Sequence, residues 1–260
     1  MLFLVFLICF SASIVGAICG IGGGVIIKPV LDAFGIMSVS TISFLSGCTV
    51  LSMTTYSVLS GRKKGNSAFE KATGLPLAIG AAAGGILGKE LFEIIKSLST
   101  DPERVGAVQA GCLLIVTLGT LIYTVYKSRI PTRQVKHPLF CLVIGLILGL
   151  LSAFLGIGGG PINLVVLFYF FSMDSKAAAE NSLYLIFFSQ LASLCMSILR
   201  GNVPEFEIGM LLLMALGGIC GGIAGRKINR NIDNKTVDKL FIALMVLMIF
   251  INLYNIMKFM

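Results

Sequence analysis

The chain has 260 residues, of which 57% are hydrophobic and only 12% are charged, and its mean hydropathy is +0.98. An ordinary soluble domain is about 25% charged, so this composition excludes one and predicts a protein whose main solvent is the lipid bilayer. The formal net charge is +8. Because the Lys and Arg residues lie between apolar runs, we interpret them as cytoplasmic loop residues and predict no nucleic-acid partner.

Eight hydrophobic stretches follow one another along the chain, and most are long enough for a membrane-spanning helix of about 20 residues. They are runs without the alternation of barrel strands, so the predicted fold class is an all-α integral membrane protein. The stretches are 2–34, 38–60, 72–95, 104–126, 138–171, 177–199, 207–225 and 236–257.

The stretches 2–34 and 138–171 are too long for one simple crossing. Each is interrupted by the same sequence, GIGGG, at Gly20–Gly24 and at Gly156–Gly160. Glycine is less favourable than alanine in a helix by about 1 kcal/mol, and a proline lies near each cluster. We therefore predict that both stretches break into two helical pieces.

The two GIGGG motifs belong to a longer internal repeat. At the offset that separates the two motifs Ser46 matches Ser182, and after a single-residue insertion Gly88–Lys89 matches Gly225–Arg226. Ordered matches over such a distance indicate a tandem duplication. The predicted parts are a first membrane repeat (1–127), a basic connecting loop (128–137) and a second membrane repeat (138–260).

The distribution of basic residues distinguishes two topologies. If all eight stretches cross the membrane, Lys and Arg divide almost evenly between the sides. If each GIGGG stretch is re-entrant, loops 61–71, 127–136 and 226–239 share one side with Lys176, and that side holds fourteen basic residues against five. The positive-inside rule favours the re-entrant arrangement, in which the two copies are inverted repeats.

The helix N-termini that follow the glycine breaks are the predicted binding site for a small anion, because free N–H groups and the positive end of a helix dipole attract negative charge. Polar residues nearby could complete the site. The alternative is that the glycines only permit close helix crossing. The candidate substrate-binding residues are Gly22, Gly23, Gly24, Lys28, Ser46, Gly158, Gly159, Gly160, Asn163, Asn181 and Ser182.

Two charged positions inside or beside the stretches have competing interpretations. Lys28 could hold an anion, could extend to the lipid headgroups, or could pair with Asp32 one helical turn later. Glu180 could relay protons, but its spacing from Lys176 favours an ion pair at the exposed end of a helix. Valine at Gly23 or Gly159 is expected to abolish transport while the chain still reaches the membrane, if these glycines line the site.

The sequence contains no recognisable catalytic constellation, so we predict no enzyme activity, no cofactor and no metal site. His137 lies in the basic connecting loop and has no partner at metal-ligand spacing. The chain also has no phosphate-binding loop of the Walker type, which excludes ATP hydrolysis by this chain. It carries no signal for an oligomeric state.

The glycine stretches Gly16–Leu31 and Ser152–Leu167 resemble those of the sulfite exporter TauE/SafE family, and the polar positions Ser46 and Asn181–Ser182 resemble its Thr-Ser position. The resemblance implies a multi-pass carrier in the plasma or inner membrane for sulfite, sulfonates or related organic anions. The chain differs from the family pattern in having Lys28 before the first proline, Pro161 directly after the second glycine cluster, and Asn181 in place of threonine. The alternative function is a membrane-embedded partner or assembly subunit without transport activity.

Overall fold

The computed structural model describes residues 2–62, 71–98, 102–157 and 159–259, without the side chains of residues 61, 62, 71, 72, 102 and 103. Within these ranges the chain is helical and contains no strand, so the predicted all-α class is confirmed. The helices are α1 (Leu2–Cys19), α2 (Gly24–Phe34), α3 (Val39–Arg62), α4 (Lys71–Leu98), α5 (Pro102–Tyr126), α6 (Pro138–Phe154), α7 (Pro161–Phe171), α8 (Ser175–Leu199), α9 (Ile208–Asn231) and α10 (Asn234–Phe259), with a short 3-10 helix (Lys127–Arg129) after α5.

Each of the two longest hydrophobic stretches consists of two helices separated by its glycine cluster. In the first, Gly20 and Gly22 have φ values of +74° and +73°, a left-handed conformation that residues with a Cβ rarely adopt. In the second, Gly156 has a φ of +65°. Continuous α-helix is therefore interrupted where glycine supplies the backbone conformations that other residues disfavour.

Seven of the described helices are long and apolar enough to cross a membrane, which supports a multi-pass membrane protein. They are α1, α3, α4, α5, α8, α9 and α10. Helices α6 and α7 are apolar but shorter, with 17 and 11 residues.

Helix pairs from different halves of the chain approach each other through glycine. A Cβ atom on Gly84 of α4 would lie 2.1 Å from the Leu146 carbonyl oxygen of α6. Likewise, a Cβ on Gly221 of α9 would lie 2.4 Å from the Phe10 carbonyl oxygen of α1. Gly84 matches Gly221 in the predicted internal repeat, and Phe10 and Leu146 are separated by the same offset as the two GIGGG motifs. The pairs α4–α6 and α9–α1 therefore have the same contact in corresponding positions.

The first broken stretch begins and ends at the same face of the helix assembly, which we call the first face. Residues from the start of α1, the end of α2 and the start of α3 share one hydrophobic cluster, which also contains the end of α8 and the start of α9. The members that define these five helix ends are Val5, Leu31, Ile42, Leu194 and Met210. Helix α1 therefore enters from the first face and α2 returns to it.

The second broken stretch begins and ends at the opposite face, which we call the second face. The Arg133 amide, before the start of α6, donates to the Tyr169 carbonyl at the end of α7, at 2.7 Å. At the same face the Lys127 ammonium, after α5, pairs with the Asp238 carboxylate at the start of α10, at 2.5 Å. The two broken stretches are thus inserted from opposite faces.

Candidate functional site

The two glycine breaks meet in the middle of the assembly. A Cβ atom on Gly24 would lie 2.0 Å from the carbonyl oxygen of Ile157, so the two backbones are in direct contact. The surrounding side chains Val50 and Ile186 are fully buried, as is Ile157 itself. The meeting point is therefore apolar and closely packed.

The first glycine of each motif lies away from this centre, toward opposite faces. Gly20 contacts the backbone of Ala179, near the start of α8, where a Cβ would lie 2.2 Å from the Ala179 Cα. Gly156 instead faces the side chain of Ser43, near the start of α3, where a Cβ would lie 2.7 Å from the hydroxyl oxygen. Because α8 begins at the second face and α3 at the first, each hairpin reaches past the centre toward the opposite face.

The helices that follow the breaks have N-termini without side-chain caps. Gly23 precedes α2, and Gly160 precedes α7, and neither position can supply a capping side chain. Pro161, the first residue of α7, also removes one backbone donor from that N-terminus. The two predicted anion-attracting helix ends are therefore chemically different.

The remaining predicted glycines contact protein atoms. A Cβ on Gly23 would lie 2.9 Å from the Ser13 hydroxyl oxygen, and one on Gly159, where φ is +145°, would lie 2.3 Å from Ile186 Cδ1. The Gly22 backbone lies 2.6 Å from the Cβ position of Gly16. Gly160 has looser surroundings, with its nearest neighbour, Ile157 Cδ1, at 3.6 Å. Gly158 lies outside the described residues.

The predicted polar side chains are buried beside the breaks. Ser46 and Ser182, which match in the predicted repeat, are fully buried, and their hydroxyl oxygens have no hydrogen-bond partner among the described residues. The Oδ1 atoms of Asn163 and Asn181 have none there either, while the Asn181 amide nitrogen donates to the Ala177 carbonyl at 2.8 Å. Buried polar atoms are rarely left without a partner, which makes this region a candidate for ligand or water contact.

Lys28 pairs with Asp32, the third of the interpretations that its position allowed. The ammonium lies 2.7 Å from the Asp32 carboxylate, and both side chains are almost fully buried, at 4% and 5% exposure. Lys28 therefore does not extend to the lipid headgroups. Its Cε lies 3.4 Å from the Cβ position of Gly156, so this cation of the first half reaches the glycine break of the second.

The predicted ion pair between Lys176 and Glu180 is wrong. Lys176 donates to the Ile232 carbonyl at 2.9 Å, and the Glu180 carboxylate instead lies 3.9 Å from the Arg226 guanidinium. Arg226 also donates to the Ser57 carbonyl. The loop between α9 and α10 supplies an acceptor that the local spacing of the sequence could not reveal.

A polar pocket lies beside Gly156, on the side of the first face. Gln109 supports its wall, since the amide nitrogen donates to the Phe154 carbonyl at 2.7 Å, at the end of α6. The Ser43 hydroxyl oxygen is buried and has no partner among the described residues. The polar side chains that line the pocket are Ser43, Lys89, Gln109, Gln190, Ser193 and Ser197.

This pocket continues toward the first face. Lys89 and Ser197 also line a second, smaller pocket that reaches Arg200 and Asn202 at the end of α8. Two cations and two carboxylates line this opening, because Lys89 pairs with Glu93 and Arg200 pairs with Glu90. The charges that line the opening therefore balance.

None of these polar side chains was among the substrate-binding residues predicted from the sequence. They come from α3, α4, α5 and α8, and only the fold brings them together. One signal was present: Lys89 follows Gly88 in the pair that matches Gly225–Arg226. Of the predicted site residues, Lys28 comes near this pocket through its contact with the Gly156 position.

The family model described as "Sulfite exporter TauE/SafE" matches residues 5–251, nearly the whole chain. The chain belongs to the sulfite exporter TauE/SafE family. Membership makes it a membrane transporter, in agreement with its seven helices that could span a membrane.

Two curated relatives are each identical to this chain at about a quarter of their aligned residues. The probable membrane transporter protein YunE of Bacillus subtilis (strain 168) is 25% identical over 264 residues, and the match covers 91% of each chain. The probable membrane transporter protein MamO of Magnetospirillum gryphiswaldense is 24% identical over 188 residues, which are 70% of this chain but 29% of MamO. The chain thus spans less than a third of MamO, and no solved structure matches it.

Proposed function

We propose that this protein is a secondary transporter of small anions, with sulfite, sulfonates and related organosulfur anions as its substrate class. The observation that carries the proposal is the polar pocket beside Gly156, which contains a cationic side chain and opens toward one face. The anion class also follows the family to which the chain belongs.

The pocket has the chemistry that an oxyanion requires. Ser43 and Ser193 carry hydroxyl groups that can donate a hydrogen bond, the Gln190 amide carries two N–H groups, and Lys89 contributes a positive charge. The Gly156 backbone permits close approach because it has no side chain. We place the bound anion between these groups and the second glycine break, with Lys28 beside it.

We further propose that the two halves are inverted repeats and that the second face is cytoplasmic. Three features support this: the broken stretches enter from opposite faces, the α4–α6 contact recurs between α9 and α1, and the loops at the second face belong to the group with fourteen basic residues. In this arrangement the polar pocket opens away from the cytoplasm.

The test is anion flux in proteoliposomes that contain the purified chain, measured with sulfite, thiosulfate, sulfoacetate and taurine. We expect saturable flux of at least one of them, and Gln190→Leu should raise its KM by about 10- to 150-fold, since a hydrogen bond to a charged ligand contributes about 1.5–3 kcal/mol. The control is Leu191→Met, which alters an exposed neighbour on the same helix.

Absence of flux for all four anions would contradict the substrate class. The alternative, a membrane partner without transport activity, predicts absence of flux together with stable co-purification of another chain. A Gln190→Leu protein with unchanged KM would contradict the position of the site.

A further inference from the structure

Lys89 and Arg226 occupy equivalent positions in the two halves but have different surroundings. They match in the internal repeat, and the serines near them, Ser57 and Ser193, are separated by the same offset as the two GIGGG motifs. Lys89 lines the pocket together with Ser193. Arg226 instead donates to the Ser57 backbone carbonyl and lies near the Glu180 carboxylate.

We propose that Lys89 and Arg226 are the paired anion-receiving residues of two half-pathways that are used alternately. In the present conformation Lys89 receives the anion from the first face, while Arg226 is held by Ser57 and Glu180 and keeps the second face closed. The proposal rests on the proposed anion transport and identifies the residues that receive the substrate on each side.

The backbone packing at the first face, near Lys89, is more open than the backbone packing at the second face, near Arg226. At the second face Gly20 lies directly against the Ala179 backbone, which leaves no room between the hairpin and α8. At the first face the equivalent glycine, Gly156, faces the Ser43 side chain, and the pocket lies beside it. One side is therefore sealed by backbone contact, and the other is lined by polar side chains.

The charged groups around each cation agree with these roles. Lys89 is paired with Glu93 at 3.1 Å, but Glu93 is also 3.8 Å from Lys96. An entering anion can thus bind Lys89 while Glu93 retains a second cation. Among the described residues, Arg226 has one carboxylate nearby, Glu180, at 3.9 Å. Release of Arg226 from the Ser57 carbonyl would provide a guanidinium for a departing anion.

In the opposite conformation, Lys89 and Arg226 exchange their kinds of surroundings. Lys89 would then donate to the Ser193 carbonyl and close the first face, as Arg226 now does with Ser57. Arg226 would then line a pocket at the second face. The duplication makes both arrangements accessible to one chain, because each half contains the equivalent cation and the equivalent serine.

The test measures the accessibility of cysteines at Ser193 and Ser57 to an anionic, membrane-impermeant thiosulfonate. The seven native cysteines are first replaced by alanine, because Cys195 and Cys220 are exposed, and wild-type flux of this chain is the starting control. In oriented vesicles without substrate, we expect Ser193→Cys to react from the first face at least about tenfold faster than Ser57→Cys reacts from the second.

Adding Arg226→Gln should reverse this preference. We expect Ser57→Cys to react about tenfold faster and Ser193→Cys to react more slowly, because the loss of a charged hydrogen bond favours the opposite conformation. Lys227→Gln is the matched control, since it removes the same charge from an exposed neighbouring position. Arg226→Lys, which keeps a positively charged donor, is the second variant in case Arg226→Gln lowers the abundance of the protein. We expect it to shift both labelling rates in the same directions as Arg226→Gln, but by a smaller factor.

Two results would overturn the proposal. Unchanged reaction of Ser57→Cys after Arg226→Gln would show that Arg226 does not close the second face. A parallel increase at both cysteines would indicate general loosening instead of alternation. If the two cysteines change their reaction rates in opposite directions but the chain transports none of the four anions, the exchange of the two conformations is supported and only the proposed substrate class is contradicted.

Discussion

The buried pair of Lys28 and Asp32 allows a quantitative test of the packing around the glycine breaks. The two charged atoms are 2.7 Å apart, and both side chains are almost fully buried. Removing one partner leaves an uncompensated buried charge, which costs about 3–5 kcal/mol, whereas replacing both by apolar residues is often neutral. We expect Lys28→Met and Asp32→Leu each to destabilise the protein by that amount, and the double variant to be more stable than either single variant.

Thermal unfolding can be followed with a thiol-reactive fluorescent dye. The chain contains no tryptophan, but Cys9, Cys19 and Cys141 are buried and become reactive when the protein unfolds. A loss of about 3–5 kcal/mol corresponds to a decrease in Tm of about 6–20 °C for a chain of this size. Lys96→Met is the control, because Lys96 belongs to a partly exposed pair that contributes about 1 kcal/mol or less. A double variant no more stable than the single variants would refute the reasoning.

Two further predictions concern the second break and the start of α10. Gly159→Val should lower the abundance of the protein, because its Cβ position is 2.3 Å from Ile186 Cδ1 at a φ of +145°. Quantitative blotting should show partial recovery of abundance when Ile186→Ala is added to the same chain. Normal abundance of Gly159→Val together with loss of flux would instead favour a glycine that lines the ligand site. At the second face, a hydrogen bond from the Thr236 hydroxyl lowers the pKa of Asp233 below its ordinary value of 3.8. A carboxylate whose pKa is lower in the folded than in the unfolded protein stabilises the folded state at pH values above the unfolded pKa. Asp233→Ala should therefore lower Tm at pH 7, and this difference in Tm should disappear as the pH falls below about 4. A difference in Tm that does not depend on pH would contradict the prediction.

The sequence predicted the helical class because periodicity and length are local properties of the chain. The positions of the glycine clusters also indicated where helix is interrupted, since positive φ angles at Gly20 and Gly156 depend on residue type. The Lys28–Asp32 pair was one of the stated alternatives because the two residues are one helical turn apart. These features require no knowledge of tertiary structure.

The pocket could not be predicted in the same way, because its lining residues converge from four helices. Ser43 lies in the first half of the chain and Gln190 in the second, and no local pattern relates them. The Lys176–Glu180 prediction was wrong for the same reason, since Arg226 and the Ile232 carbonyl approach from another helix and its following loop. Competition from tertiary partners decides such contacts.

The glycines at the breaks and the polar side chains of the neighbouring helices have different roles. At the centre, the Ile157 carbonyl oxygen lies against Gly24, among buried apolar side chains. A carbonyl oxygen carries partial negative charge and repels an anion, so the meeting point itself is a poor binding position. Toward the first face, by contrast, the surroundings of Gly156 provide hydroxyl groups and an ammonium. The glycines therefore bring two hairpins together, while the side chains of the neighbouring helices supply the donors that an anion needs.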